Sequence, residues 1–100
     1  MTDLDPGAVV KRIRGKYLDG IKRCHQRVLK VDPSAQGKVT IRFTVGPTGR
    51  VTKANVKGFD PTVDACIKTL AAKWRFSAPK DEGKPTSADF EVPLLLKPGA

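Results

Sequence analysis

Two cysteines and a single histidine are the residues of this 100-residue chain best suited to chemistry. Cys24 and Cys66 each fall on the apolar stripe of a helical segment. If both segments cover the same sheet, the two thiols approach each other. They then either form a disulfide, which implies an oxidising compartment, or pack as small buried hydrophobes. A bridge closing ~43 residues would contribute about 4 kcal/mol in the chain-entropy model, a large share for a thin core. His25 adjoins Cys24 and invites a metal site. Adjacent helical residues diverge by about 100°, however, and Cys66 would be only a third ligand, so His25 reads as a surface residue. No Ser, His and carboxylate set has a recognisable spacing, and no Gly-x-Ser-x-Gly occurs. Gly46 and Gly49 bracket a turn and do not open a helix, so they form no phosphate cradle. The expectation is a binding domain with no catalytic residues, cofactor or metal.

Charge is the next constraint. Nineteen Lys and Arg against ten Asp and Glu leave a net charge of +9. Such an excess points to anionic partners or surroundings: nucleic acid, a membrane surface, cell-wall carboxylates or acidic protein. Much of it lies on one helical face, at Lys11, Arg12, Lys16, Lys22, Arg23 and Arg27. Single-strand binders interleave aromatics with such charges, and here they do not. Phe43 and Phe90 read as core, and Trp74 as core or hinge, so nucleic acid is not expected as a partner. No run approaches the ~18 apolar residues of a membrane span. Met1-Thr2-Asp3-Leu4-Asp5 is acidic and lacks the apolar region of a signal peptide. The chain is therefore either cytosolic or part of a longer protein that carries its targeting elsewhere.

The elements that position these residues follow from periodicity. Asp5-Pro6 can start a helix, and Val10, Ile13, Tyr17, Ile21, Cys24 and Val28 form one stripe along it. It should stop near Lys30, since Pro33 forces Asp32 out of helical geometry. Val39, Ile41, Phe43 and Val45 alternate with polar residues as a half-buried strand. Gly46-Pro47-Thr48-Gly49 is a turn. The returning strand slips in parity between Val51 and Ala54, which predicts a β-bulge. Asp60-Pro61 starts a second helix with Val63, Cys66, Ile67, Leu70 and Trp74 on its apolar face and Lys73 and Arg75 in its last turn. A Pro/Lys/Gly loop from Ser77 to about Ser87 leads to a final strand with Phe90, Val92, Leu94 and Leu96 on one face. The fold class is α+β in the order α-β-β-α-β, with two helices on one face of a three-stranded antiparallel sheet. A right-handed crossover would place the last strand beside the first, as an edge, and Pro93 suits an edge. Residues 1–100 read as one domain, with 1–5 a leader and 97–100 a tail.

The run from Gly37 to Val51, GKVTIRFTVGPTGRV, resembles the hairpin of the TonB C-terminal domain family, and Trp74-Arg75-Phe76 resembles that family's helix end. The similarity extends from about Ile21 to Leu96. Transport-type members carry a Tyr-Pro motif before the hairpin that is absent here. The long helix containing Ile21-Lys22-Arg23-Cys24, the second cysteine at Cys66 and Asp32-Pro33 look more like the AgmX/PglI branch of gliding-motility proteins. The resemblance implies a periplasmic domain at the end of an inner-membrane-anchored protein, passing force from a proton-driven motor to outer-membrane partners. It also favours the disulfide between Cys24 and Cys66. TonB domains add a partner segment as a strand at the edge of the last strand, which maps here to Ala88, Asp89, Phe90, Glu91, Val92, Pro93, Leu94, Leu95 and Leu96. Asp89, Glu91 and Leu95 are the expected exposed recognition positions. Two other readings compete: a basic module attracted to peptidoglycan or lipopolysaccharide, and a cytosolic nucleic-acid binder.

Overall fold

A computed structural model describes residues 4–98 of the chain. Of the expected leader and tail, residues 1–3 and 99–100 lie outside the described residues. The first helix is continuous but changes its winding. α1 (Pro6–Arg12) is capped by the Asp5 carboxylate, which accepts from the Gly7 N–H, and Pro6 occupies the first turn. A π-helical turn (Ile13–Tyr17) follows, then α2 (Leu18–Leu29). The wider turn holds Gly15, where helix propensity is weakest. It also lets Val9 join Ile13, Ile21, Cys24 and Val28 in the core, while Val10 and Tyr17 are only half-buried. Leu4 is buried against the same core.

β1 (Gly37–Val45), β2 (Val51–Lys57) and β5 (Ala88–Leu96) form one antiparallel sheet in the order β2-β1-β5. The central place of β1 explains its clean alternation: Val39, Ile41, Phe43 and Val45 are all buried. Thr44 faces Lys53 and Val45 faces Val51, so Thr52 is the extra residue of the expected bulge. The hairpin turn closes through the Gly49 N–H on the Gly46 carbonyl at 2.9 Å. β5 pairs with β1 along its whole length, from Gly37–Leu96 to Val45–Ala88.

α3 (Pro61–Ala71) is started by Asp60, whose carboxylate accepts from Thr62 and Val63. It ends earlier than its apolar pattern suggests. Lys73 and Trp74 donate to residues three back, Leu70 and Ala71, so the chain tightens and leaves the helix. Trp74 therefore lies beyond the last turn, with Lys73 and Arg75. Freed from the helix, its ring packs among Tyr17, Phe43 and Phe76, with centroids 5.1–6.4 Å apart. The Pro/Lys/Gly loop contains a two-residue hairpin of its own, β3 (Lys80–Asp81) with β4 (Lys84–Pro85). Gly83, at φ +80, supplies the left-handed turn that joins them.

The histidine expectation is overturned. His25 is 4% exposed, not a surface residue. Its Nε2–H donates to the Ala35 carbonyl at 2.7 Å, and its ring meets Phe59 edge-on at 5.8 Å. One buried carbonyl satisfies the ring and turns it inward beside Cys24. Among the described residues no group of three or more His, Cys, Asp or Glu could hold a metal ion. Cys24 and Cys66 are joined in a disulfide with Cα atoms 5.8 Å apart, linking α2 to α3. Close approach of the two helices is also marked at Gly20, where a Cβ would lie 3.2 Å from Leu70.

Candidate partner-binding site

β5 is an edge strand: among the described residues nothing pairs with its outer side. Its side chains alternate as the sequence predicts. Ala88, Val92 and Leu96 are buried, Phe90 and Leu94 are half-buried, and Asp89, Glu91, Pro93 and Leu95 are exposed. Leu95 is 63% exposed. On the face away from the helices, Glu91 forms an ion pair with Arg42 at 3.3 Å, and Asp89 accepts from the Thr44 hydroxyl. Both pairs cross to β1, so these carboxylates already have partners within the sheet.

The C-terminal half of β5 does more than end the sheet. Pro93, Leu94, Leu95 and Leu96 form one wall of a groove of about 450 Å³, with Lys97 at its end. The other wall is the first helix: Arg14, Leu18, Lys22, Gln26 and Leu29, with buried His25 behind them. These wall residues recur at spacings of three and four. This third stripe was legible in the sequence, but the apolar and basic stripes on either side drew the reading away from it. The other half, Asp89 to Glu91, borders a more open depression of about 710 Å³ with Arg42, Lys53 and Lys68.

The structure divides the predicted basic surface. Lys11, Arg12, Lys16, Lys22, Arg23 and Arg27 are all exposed. Only Lys22 of these lines the groove beside β5. Lys16 and Arg23 border a separate depression with Tyr17, Lys73 and Trp74. Arg12 is engaged, since its Nε–H donates to the Arg75 carbonyl at 2.7 Å. The Tyr17 hydroxyl donates to that same carbonyl at 2.9 Å and accepts from the Arg75 N–H at 3.0 Å. Burial of the phenol opposes its ionisation. The Arg75 backbone contact and the charges of Arg12 and Lys16 outweigh this and hold its pKa below the ordinary tyrosine value.

The opposite edge, β2, is closed where it begins. Arg50 and Arg75 form a lone antiparallel bridge, and the Phe76 N–H donates to the Gly49 carbonyl at 2.9 Å. Gly49 is required at this crossing: its φ is +86, and a Cβ would sit 2.3 Å from the Phe76 carbonyl oxygen. The Trp74-Arg75-Phe76 motif thus fastens the start of β2 from the outside while its two aromatic rings fill the core beneath.

Fold and edge together define a small α+β domain whose last strand keeps an open outer edge beside a helix-walled groove. The family profile described as Gram-negative bacterial TonB protein C-terminal matches residues 33–95, and the chain belongs to that family. Its members are non-enzymatic, periplasmic adaptor domains of envelope energy transduction that interact with outer-membrane and other envelope proteins. The match begins after α2, so the first helix, Cys24 and one wall of the groove stand outside it. No curated protein and no solved structure matches the chain significantly. Among the described residues no helix is long and apolar enough to cross a membrane.

Proposed function

We propose that this domain is a force-transmitting adaptor, the periplasmic end of an inner-membrane-anchored protein. In this reading it couples a proton-driven motor to outer-membrane partners by accepting a partner segment as an added strand on β5. The AgmX/PglI-like features of the sequence, a long helix and paired cysteines, favour gliding machinery over receptor-coupled iron uptake. The observation that carries the reading is the open edge of β5 beside the groove, with Leu95 exposed on it. A proline in a sheet sits with its nitrogen turned away from the ladder. By the two-residue alternation of an antiparallel strand, Glu91 and Leu95 then turn their backbone groups outward as well. Two to four added backbone bonds at roughly 0.5–1.5 kcal/mol each give modest affinity, suited to a linkage that engages and releases.

The test is amide chemical-shift mapping with periplasm-facing segments of outer-membrane proteins from the same genome. Shifts from Ala88 to Leu96 are expected. Shifts confined to the first helix, with β5 silent, would overturn strand addition. The gene that encodes the chain should also place one membrane-spanning segment and a long linker upstream. A second reading, a peptidoglycan- or lipopolysaccharide-binding module, is favoured by the exposed cations of the first helix. Its signature is binding to cell-wall sacculi that falls steeply from low salt to ~0.3 M, as the Debye length shortens.

A further inference from the structure

We infer that the groove between the first helix and β5 selects an extended segment of the form acidic–x–apolar–x–acidic, read by Arg14 and Lys22 on either side of Leu18. The inference rests on strand addition at β5 and specifies the chemistry of what is added. A strand laid on this edge lies about 4.8 Å from β5 and sends every second side chain toward the helix. There the groove offers Leu18, Leu29 and Leu94 as an apolar surface, and Arg14, Lys22 and Lys97 as full positive charges. No aspartate or glutamate lines it, and among the described residues no carboxylate pairs with these three cations. An incoming carboxylate is therefore attracted without displacing an existing partner, and an incoming lysine is repelled.

Spacing sharpens the match. Arg14 and Lys22 are two turns apart on one wall, a rise of roughly 10–12 Å, since the span begins in the wider π-turn. Side chains at i and i+4 of an extended strand are separated by about 13 Å, and the residue at i+2 falls between them. That middle position meets Leu18, hence the apolar centre of the motif. The partner's other face imposes less selection, because Glu91 and Asp89 are already held by Arg42 and Thr44. The helix wall lies outside the family match, so this selectivity belongs to the part of the chain that the family profile does not describe.

The experiment uses the disulfide-intact domain and a short peptide containing Glu-x-Leu-x-Glu, with versions carrying Gln or Lys in place of Glu. Binding is followed by shifts of the β5 amides. The Glu peptide should bind about fivefold more tightly than the Gln peptide, as two partly exposed ion pairs allow, and the Lys peptide more weakly than either. The R14Q/K22Q double variant should erase the Glu preference while β5 shifts persist. The K11Q/R27Q variant loses the same charge away from the groove and should keep the preference. Equal binding of Glu and Gln peptides, with β5 still perturbed, would overturn the inference and leave strand addition standing. Loss of the preference in K11Q/R27Q as well would overturn it in favour of net charge. Silence of β5 with every peptide would overturn both.

Discussion

The sheet has two edges, and they are defended differently. β2 carries a bulge at Thr52, exposed lysines at Lys53 and Lys57, and the Arg75–Phe76 segment fastened over its start. Each is a recognised device against edge-to-edge pairing. β5 is longer, runs in unbroken register with β1, and has Pro93 and the exposed carboxylates of Asp89 and Glu91 in that role. Along its C-terminal half it also has a groove whose other wall is the first helix. An edge that is merely tolerated is blunted along its length. One left continuous, with a shaped and charged wall next to it, offers both backbone groups for affinity and side chains for selection. The wall comes from outside the family match and is held to the matched part by the Cys24–Cys66 bridge.

The largest expected effect therefore comes from cutting that bridge. The cysteines are 42 residues apart, and a C24S/C66S variant should lose about 4 kcal/mol in the chain-entropy model. Urea unfolding with and without reductant measures it. The two edges should respond unequally. Hydrogen exchange should quicken in α2 and along the groove, while the β1–β2 hairpin keeps its protection relative to global unfolding. Equal loosening of both edges would mean that the helix is not a separable wall.

Smaller effects distinguish the two ends. A His25→Leu substitution leaves the Ala35 carbonyl without its donor and should cost about 1–3 kcal/mol, with shifts concentrated on the β5 side. Tyr17→Phe removes the paired contacts with Arg75 and should cost about 1–2 kcal/mol, felt at the start of β2. The Tyr17 pKa is depressed in the fold, so its ionisation adds stability that is complete only above the ordinary tyrosine value and is lost as pH falls through the folded value. The gap between wild type and Tyr17→Phe should thus stay flat through neutral pH and widen toward pH ~10, by equilibrium unfolding at each pH.

Much of this architecture was readable from periodicity. The order of elements, the central place of β1, the edge position of β5 and the bulge between Val51 and Ala54 follow from alternation, turn chemistry and crossover handedness. What stayed hidden depends on long-range partners. His25 looked solvent-facing because no local pattern shows that the Ala35 carbonyl awaits it. Trp74 continued a helical spacing, yet the helix ends at Ala71 because its ring is worth more in the aromatic core than on another turn. The pattern left Cys24 and Cys66 open between bridge and buried thiols, since pairing requires two helices to meet at a set distance. The groove was missed for a related reason: Arg14, Leu18, Lys22, Gln26 and Leu29 form a visible stripe, but only the docked helix shows that β5 lies opposite.

The two edges can be compared most directly by removing their guards one at a time. Pro93→Ala gives β5 an additional outward N–H without altering its buried face, since Pro93 is exposed and lies opposite Thr40. One more neutral backbone bond is worth roughly 0.5–1.5 kcal/mol net, or about two- to tenfold in affinity for an added strand. K53T/K57T strips β2 of its exposed charges and raises its strand propensity, but leaves the bulge at Thr52 and the Arg75–Phe76 closure in place. Little of that edge is then available to pair. The expected outcome is tighter peptide binding and some self-association for Pro93→Ala, and near-wild-type behaviour for K53T/K57T. Sedimentation over a concentration series, with peptide titration, reads both. If the β2 variant instead associates more strongly, its lysines were its principal defence, and β2 rather than β5 would be the edge whose exposure the fold controls.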